Sequence, residues 1–90
     1  MLIPVYEKRF QKEVQKAQKR GKDTSKLKKI IQLLIAKKIL PVKNKNHKLK
    51  GNFSGYWECH IEPDWLLVYK LTETQVIFAR TGTHSDLFDK

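Results

Sequence analysis

The spacing of apolar positions changes character midway along the chain. From Glu7 to Arg20, in a stretch rich in Lys and Gln, Phe10, Val14 and Ala17 recur every three or four residues. That spacing predicts a helix with one narrow apolar stripe, built from good helix formers. Gly21 supplies its stop. Asp23, Thr24 and Ser25 offer successive N-caps. Leu27, Ile30, Ile31, Leu34 and Ile35 then give a second helix, from about Lys26 to Lys38, a wider apolar face. The short join at 21–24 folds the two helices into an antiparallel hairpin, and Pro41 follows where a stop is expected.

Beyond Gly55 the period falls to two. Tyr56 to Glu62 alternates, with Trp57, Cys59 and Ile61 on one face and Tyr56, Glu58, His60 and Glu62 on the other. Pro63-Asp64 makes a tight turn. Trp65 to Leu71 is nearly all apolar and reads as a central strand. Thr72–Gln75 connects it to a further strand, Val76–Thr81. At the other end, Leu2–Tyr6 is β-prone but holds Pro4, which suits an edge strand. Pro41–Gly55 is polar and turn-rich, with Val42, Leu49 and Phe53 as single apolar residues that could pin it to the domain; ordered loops of this length tend to be functional. The tail, Gly82–Lys90, carries Thr83, His84 and Phe88.

These elements predict an α+β fold: an N-terminal edge strand, then an antiparallel helix hairpin packed on one face of an antiparallel sheet that a three-stranded C-terminal meander completes. The opposite sheet face is left for a ligand. Ninety residues make one domain, 1–90. A chain of this size buries roughly 60–65% of its unfolded surface, enough for an adequate core.

Charge divides the chain in two. Residues 1–50 hold sixteen Lys or Arg against Glu7, Glu13 and Asp23, a balance of +13; residues 51–90 have a balance of −3. A field this positive attracts polyanions, nucleic acid foremost. One cysteine, Cys59, rules out an internal disulfide and fits a reducing compartment. No apolar run approaches the ~20 residues of a membrane span, and the start is charged too soon for a signal peptide. A cytoplasmic protein with no membrane partner is expected.

Three histidines, His47, His60 and His84, lie beside polar or turn residues. A single histidine is usually a surface or satisfied polar group. Three of them with Asp64 and Arg80 on one sheet deserve a chemical reading. Zinc fits poorly: short paired ligand spacings are absent, and Cys59 has the opposite strand parity from His60. No metal or cofactor is expected. Cys59 reads as a small core residue, and neither Ser54 nor Ser85 sits in a nucleophile elbow. RNA cleavage without metal fits best. RNA carries its own nucleophile, the 2′-hydroxyl. The protein has to take that proton, protonate the leaving 5′-oxygen and stabilise the added charge. Histidine and aspartate suit the first two tasks, and arginine the third. His47, His60, Asp64, Arg80 and His84 are the catalytic candidates. Trp65, Tyr56 and Phe88 are candidates for stacking on splayed bases, although Trp65 opens an apolar strand and could equally be core. Lys50, among many lysines, is a candidate phosphate contact. Three histidines and Arg80 should make the active face locally positive despite its acidic count.

At these residues the chain resembles the YafQ branch of the RelE/ParE toxin superfamily. The resemblance rests on His60-Ile61-Glu62-Pro63-Asp64-Trp65 and the strand after it, on Arg80-Thr81-Gly82-Thr83-His84 with Leu87-Phe88, and on His47, Leu49, Gly51 and Gly55-Tyr56. Ala17-Gln18-Lys19-Arg20 and Lys26-Leu27-Lys28 extend it into the helical half. It implies a ribosome-dependent endoribonuclease that cleaves mRNA in the A site and is held in check by a cognate antitoxin; the lysine-rich helical half then reads as its docking surface on ribosomal RNA. With the antitoxin, the complex would bind operator DNA and repress its own promoter. The family's functional residues fall on His47, His60, Asp64, Trp65, Arg80, His84 and Phe88. Ser85-Asp86 departs from the pattern, setting an acid beside His84 as a prospective partner, and Asp89-Lys90 runs past Phe88. The alternatives are a non-catalytic ribosome-binding inhibitor and a gyrase-directed relative, against which the three histidines argue.

Overall fold

The computed structural model describes residues 1–88; Asp89 and Lys90 lie outside them. The two helices form as their spacing predicts, α1 at Lys8–Lys19 and α2 at Thr24–Ile35. Gly21, at φ 83°, takes the left-handed turn that lets the Lys22 amide reach back to the Ala17 carbonyl at 3.0 Å. Asp23 caps α2 by accepting the Ser25 amide at 3.0 Å. α2 stops before Lys38. Lys37 turns left-handed at φ 59°, and the amides of Lys37 and Lys38 close back on the Leu34 and Leu33 carbonyls.

Five strands form one sheet: β1 (Ile3–Tyr6), β2 (His47–Lys48), β3 (Trp57–Glu62), β4 (Trp65–Leu71) and β5 (Gln75–Gly82), in the order β1-β5-β4-β3-β2. β4 is central and β1 is at an edge, as expected. The sheet is mixed, however, because β1 runs parallel to β5. A tight hairpin enforces reversal, and these two strands are joined instead by most of the chain, which enforces nothing. The expected all-antiparallel sheet is corrected on that point. β2 lies inside the segment read as loop and is too short to leave a periodic signal. A five-residue helix, α3 (His84–Phe88), forms in the tail.

Strand parity sends Cys59, Ile61, Trp65, Leu67, Tyr69, Val76 and Phe78 toward the helices, where they meet Phe10, Ala17, Leu27, Ile30 and Leu34 in the main core. The other face keeps a smaller cluster of Leu66, Val68 and Leu87, flanked by Leu49, Tyr56 and Phe88. That smaller cluster seats α3 and leaves the rest of the face open. Two irregularities shape the face. β3 bulges between His60 and Glu62, so Glu62 leaves the parity of His60 and pairs with Lys22 at 3.0 Å and Lys26 at 2.9 Å. β5 slips beside Val68 and Tyr69, which brings Arg80 opposite Val68. Among the described residues, no helix is long and apolar enough to cross a membrane.

Candidate active site on the open sheet face

Pairing across the sheet sets His47, Glu58, Val68 and Arg80 in one row, and His60, Leu66 and Gly82 in the next. The β3–β4 turn and the start of α3 then place Asp64 and His84 at the end of the second row. His60 and His84 stand edge to face, ring centres 5.6 Å apart, and His47 lies 6.4 Å from His60. Four of the five catalytic candidates therefore come together, although they were far apart in sequence.

Each is held by its surroundings. Asp64 Oδ1 accepts the His84 backbone amide at 2.9 Å and Nδ1–H at 2.6 Å. A carboxylate only accepts, so Nδ1 carries a proton and Nε2 points away from that bond. The same bonds, the backbone one foremost, hold the Asp64 carboxyl below its usual range. The loop before β2 fixes the other two histidines. His47 Nδ1–H donates to the Lys45 carbonyl at 2.7 Å, which Lys45 presents from a left-handed turn at φ 48°. The Asn44 amide donates to the His60 carbonyl at 2.7 Å, and the Tyr69 hydroxyl donates to Asn46 Oδ1 at 2.5 Å.

Glu58 was not among the candidates. It is 5% exposed, with Oε1 3.5 Å from Nε2 of His47 and 3.5 Å from Nε2 of His60. A buried carboxylate is retained when charged partners offset its desolvation, and two imidazoles flank this one. The signal was in the sequence: Glu58 shares the parity of His60, two residues before it on the same strand.

Three expectations are corrected. Trp65 is 1% exposed on the helix face, where its indole N–H donates to Thr81 Oγ1 at 3.0 Å. Its parity in β4 buries the ring, which is unavailable to bases. Asp86 does not face His84. Its carboxylate takes Arg20 Nη1 at 2.7 Å and the Thr83 amide at 3.0 Å, while Thr83 Oγ1 accepts the Asp86 amide at 3.1 Å. This reciprocal cap starts α3 and straps it to α1. Arg20, then the Thr83 amide, hold the Asp86 carboxyl well below its usual range. Arg80 is not a free charge: Glu13 on α1 grips it through Nε and Nη2, and Nη2 also donates to the Asp86 carbonyl at 3.3 Å. The positive face expected from Arg80 is correspondingly reduced.

The remaining candidates surround this centre. Phe88 packs edge to face on Phe53 at 5.4 Å, Tyr56 lies half-buried beneath the Lys70 ammonium, and Lys50 is exposed at the turn into residues 51–53. Cys59 is fully buried on the opposite face, and burial pushes its thiol up to about 12.

Known proteins share this fold. A family model described as a bacterial toxin of type II toxin–antitoxin systems, YafQ, matches residues 3–89. The mRNA interferase toxin YafQ of Escherichia coli K12 is 49% identical over 92% of this chain and 91% of its own. A crystal structure of the E. coli DinJ–YafQ toxin–antitoxin complex aligns at a TM-score of 0.90 with 46% identity, over 97% of each chain. A metal-bound toxin from Helicobacter pylori aligns at 0.92 with 38% identity, over 98% of this chain and 100% of that one. Among the described residues here, no three His, Cys, Asp or Glu side chains converge as a ligand set.

Proposed function

We propose that this chain, which belongs to the YafQ family of bacterial toxins of type II toxin–antitoxin systems, is an mRNA interferase that cuts message on the ribosome. The observation that carries the mechanism is the pair of facing histidines, each with a carboxylate at hand: Asp64 bonded to His84, and Glu58 shared by His60 and His47.

The two pairs divide the work of general acid and base. Asp64, held by His84 in its ionised form, is a weak base and serves to orient. The base is then His60, whose Nε2 lies beside Glu58. His60 takes the proton of a 2′-hydroxyl as that oxygen attacks the adjacent phosphorus. The bond to the 5′-oxygen breaks, and the leaving oxygen takes the Nε2 proton of His84, which enters the step as an imidazolium and leaves it neutral with its Nδ1 proton still on Asp64. A 2′,3′-cyclic phosphate and a 5′-hydroxyl result, with both histidines exchanged in protonation state. Each transfer is worth roughly 10²- to 10⁴-fold. His47 steadies the phosphate from the far end of the row. Arg80 contributes through Nη1, the nitrogen that Glu13 and Asp86 leave uncommitted among the described residues. Tyr56 and Phe88 line the path of the RNA, and Lys50 adds a phosphate contact.

The lysine-rich helical half suits docking on ribosomal RNA, where many phosphates share the contact. A cognate antitoxin neutralises the toxin, and their complex binds operator DNA. Toxin and target both then reside in the cytoplasm. The test is primer extension on message from cells expressing the wild type or His84→Ala. New 5′ ends should appear with the wild type alone. Translation arrest by both proteins without new ends would refute cleavage and leave a ribosome-binding inhibitor.

A further inference from the structure

We propose that a cleft beside the active row is a second RNA subsite, holding a nucleotide next to the one that is cut. It is a cavity of about 560 Å³ between the first turn of α1 and residues 52–53, floored by Val68 and Ala79. Lys8 and Arg9 stand on one wall, Phe53 and Tyr56 on the other, and Arg80 closes the end toward Glu58. The inference rests on the nuclease reading for its substrate, single-stranded RNA.

Three observations support it. The first is charge placed against the grain of the helix. The start of a helix is the positive end of its dipole and favours acids, yet the first turn of α1 has no acid and carries Lys8 and Arg9, both exposed. Neither takes part in an ion pair among the described residues. Glu7 also lines the cleft but makes no side-chain cap to the helix. The rim stays net positive, self-repelling until an anion arrives. The second is the opposite wall. Phe53 and Tyr56 are half-exposed rings, and Lys70 sits 5.7 Å over Tyr56. Aromatic faces set against cations are the chemistry of single-strand binding, a base on the ring and its phosphate on the charge. The third is continuity. Tyr56 lies four residues before His60 along the strand direction, about 13 Å at 3.3 Å per residue. RNA crossing the catalytic row therefore runs on into the cleft.

The test is direct binding of a fluorescent, fully 2′-O-methylated oligoribonucleotide, which cannot be cut, followed by anisotropy across a salt series. Lys8→Ala/Arg9→Ala should weaken binding about ten-fold at low salt. It should also lower the slope of log affinity against log salt by about 1.4, or 0.7 per lost phosphate contact. Lys28→Ala/Lys29→Ala removes equal charge from the exposed face of α2, which lies outside the cleft and serves ribosomal RNA in the reading above, so with this short message-like strand it should change both far less. Phe53→Leu should weaken binding several-fold, and an oligonucleotide with abasic sites should erase that difference. Removing Lys8 and Arg9 also relieves repulsion at the helix end, so that variant should melt no lower than the wild type. Equal losses in both double variants, no effect of Phe53→Leu, or no measurable binding by the wild type would overturn the subsite. Because binding is read without cleavage, this outcome is independent of the primer-extension result.

Discussion

Glu13 on α1 grips Arg80 on β5 with both carboxylate oxygens, Oε1 at 3.0 Å from Nε and Oε2 at 2.8 Å from Nη2. Oε1 also accepts the Thr81 amide at 3.2 Å. β1 pairs with β5 only as far as Phe78, so beyond that point β5 has an open edge, and Glu13 supplies the missing partner. One side chain of the basic half thus completes the sheet and fixes Arg80 at the end of the row that holds His47 and Glu58.

Glu13→Ala leaves a guanidinium that is 12% exposed without its acid. The expected cost is about 2 kcal/mol, or a Tm lower by roughly 8–16 °C. Thermal melts of Glu13→Ala, Arg80→Ala and the double variant should show a double-variant loss well below the sum of the singles. Additive losses would mean that the two side chains act separately.

His84 and Asp64 should separate kinetically. His84→Ala removes the proposed proton donor and should lower single-turnover cleavage on programmed ribosomes by roughly 10²- to 10⁴-fold. Asp64→Asn keeps an oxygen for the His84 amide but loses the charge that orients the ring, so a loss of roughly 10- to 100-fold is expected. Neither change should shift the urea midpoint much, since both side chains are largely exposed.

Acid should loosen the strap on α3. Asp86 is held below the ordinary aspartate value of 3.8, by Arg20 above all. A carboxyl that binds its proton less readily when folded stabilises the fold fully above its unfolded value. That contribution fades as pH falls toward the folded value. Urea midpoints should therefore hold above about pH 5 and decline below it, and Asp86→Asn should flatten part of the decline. Asp86→Asn should also cost activity at neutral pH, because His84 rides on the strapped helix. Gly82→Ala approaches the same strap from behind, since a Cβ there would lie 2.9 Å from Asp86 Cβ.

Cys59 should resist modification in the folded protein. Burial pushes its thiol up to about 12 and leaves it no exposed surface. Iodoacetamide at pH 8 should label it only after denaturant is added, whereas labelling of the native chain would contradict its place in the core.

Where one residue type repeats at a fixed period, the fold could be read directly. Phe10 and Ala17 in α1, and Trp57, Cys59 and Ile61 in β3, lie on the faces that their spacing assigned. Histidine content and the block around Asp64 pointed to the residues that the fold gathers on the open face. What escaped reading depended on contacts between distant segments. The direction of β1 is set by a partner near the other end of the chain. β2 is two residues long and exists because His47 finds Glu58. Glu62 was assigned to the open face by alternation, but a bulge turned it to Lys22 and Lys26. Asp86 adjoins His84 in sequence and faces Arg20 in space. Trp65 offered two readings of equal weight, and the hydrogen bond to Thr81 decided for the core.

The parallel pairing of β1 with β5 has a consequence for how the protein is made. In chain order β1 is translated first and β5 after every other strand, so the sheet closes only when synthesis has passed both. His84, on α3 beyond β5, emerges later still. The two charge-matched straps, Glu13 to Arg80 and Arg20 to Asp86, likewise await the later half. A ribosome making this chain releases the basic helices first, before the catalytic row exists. The sheet and both straps therefore close only after β5 and α3 have left the ribosome.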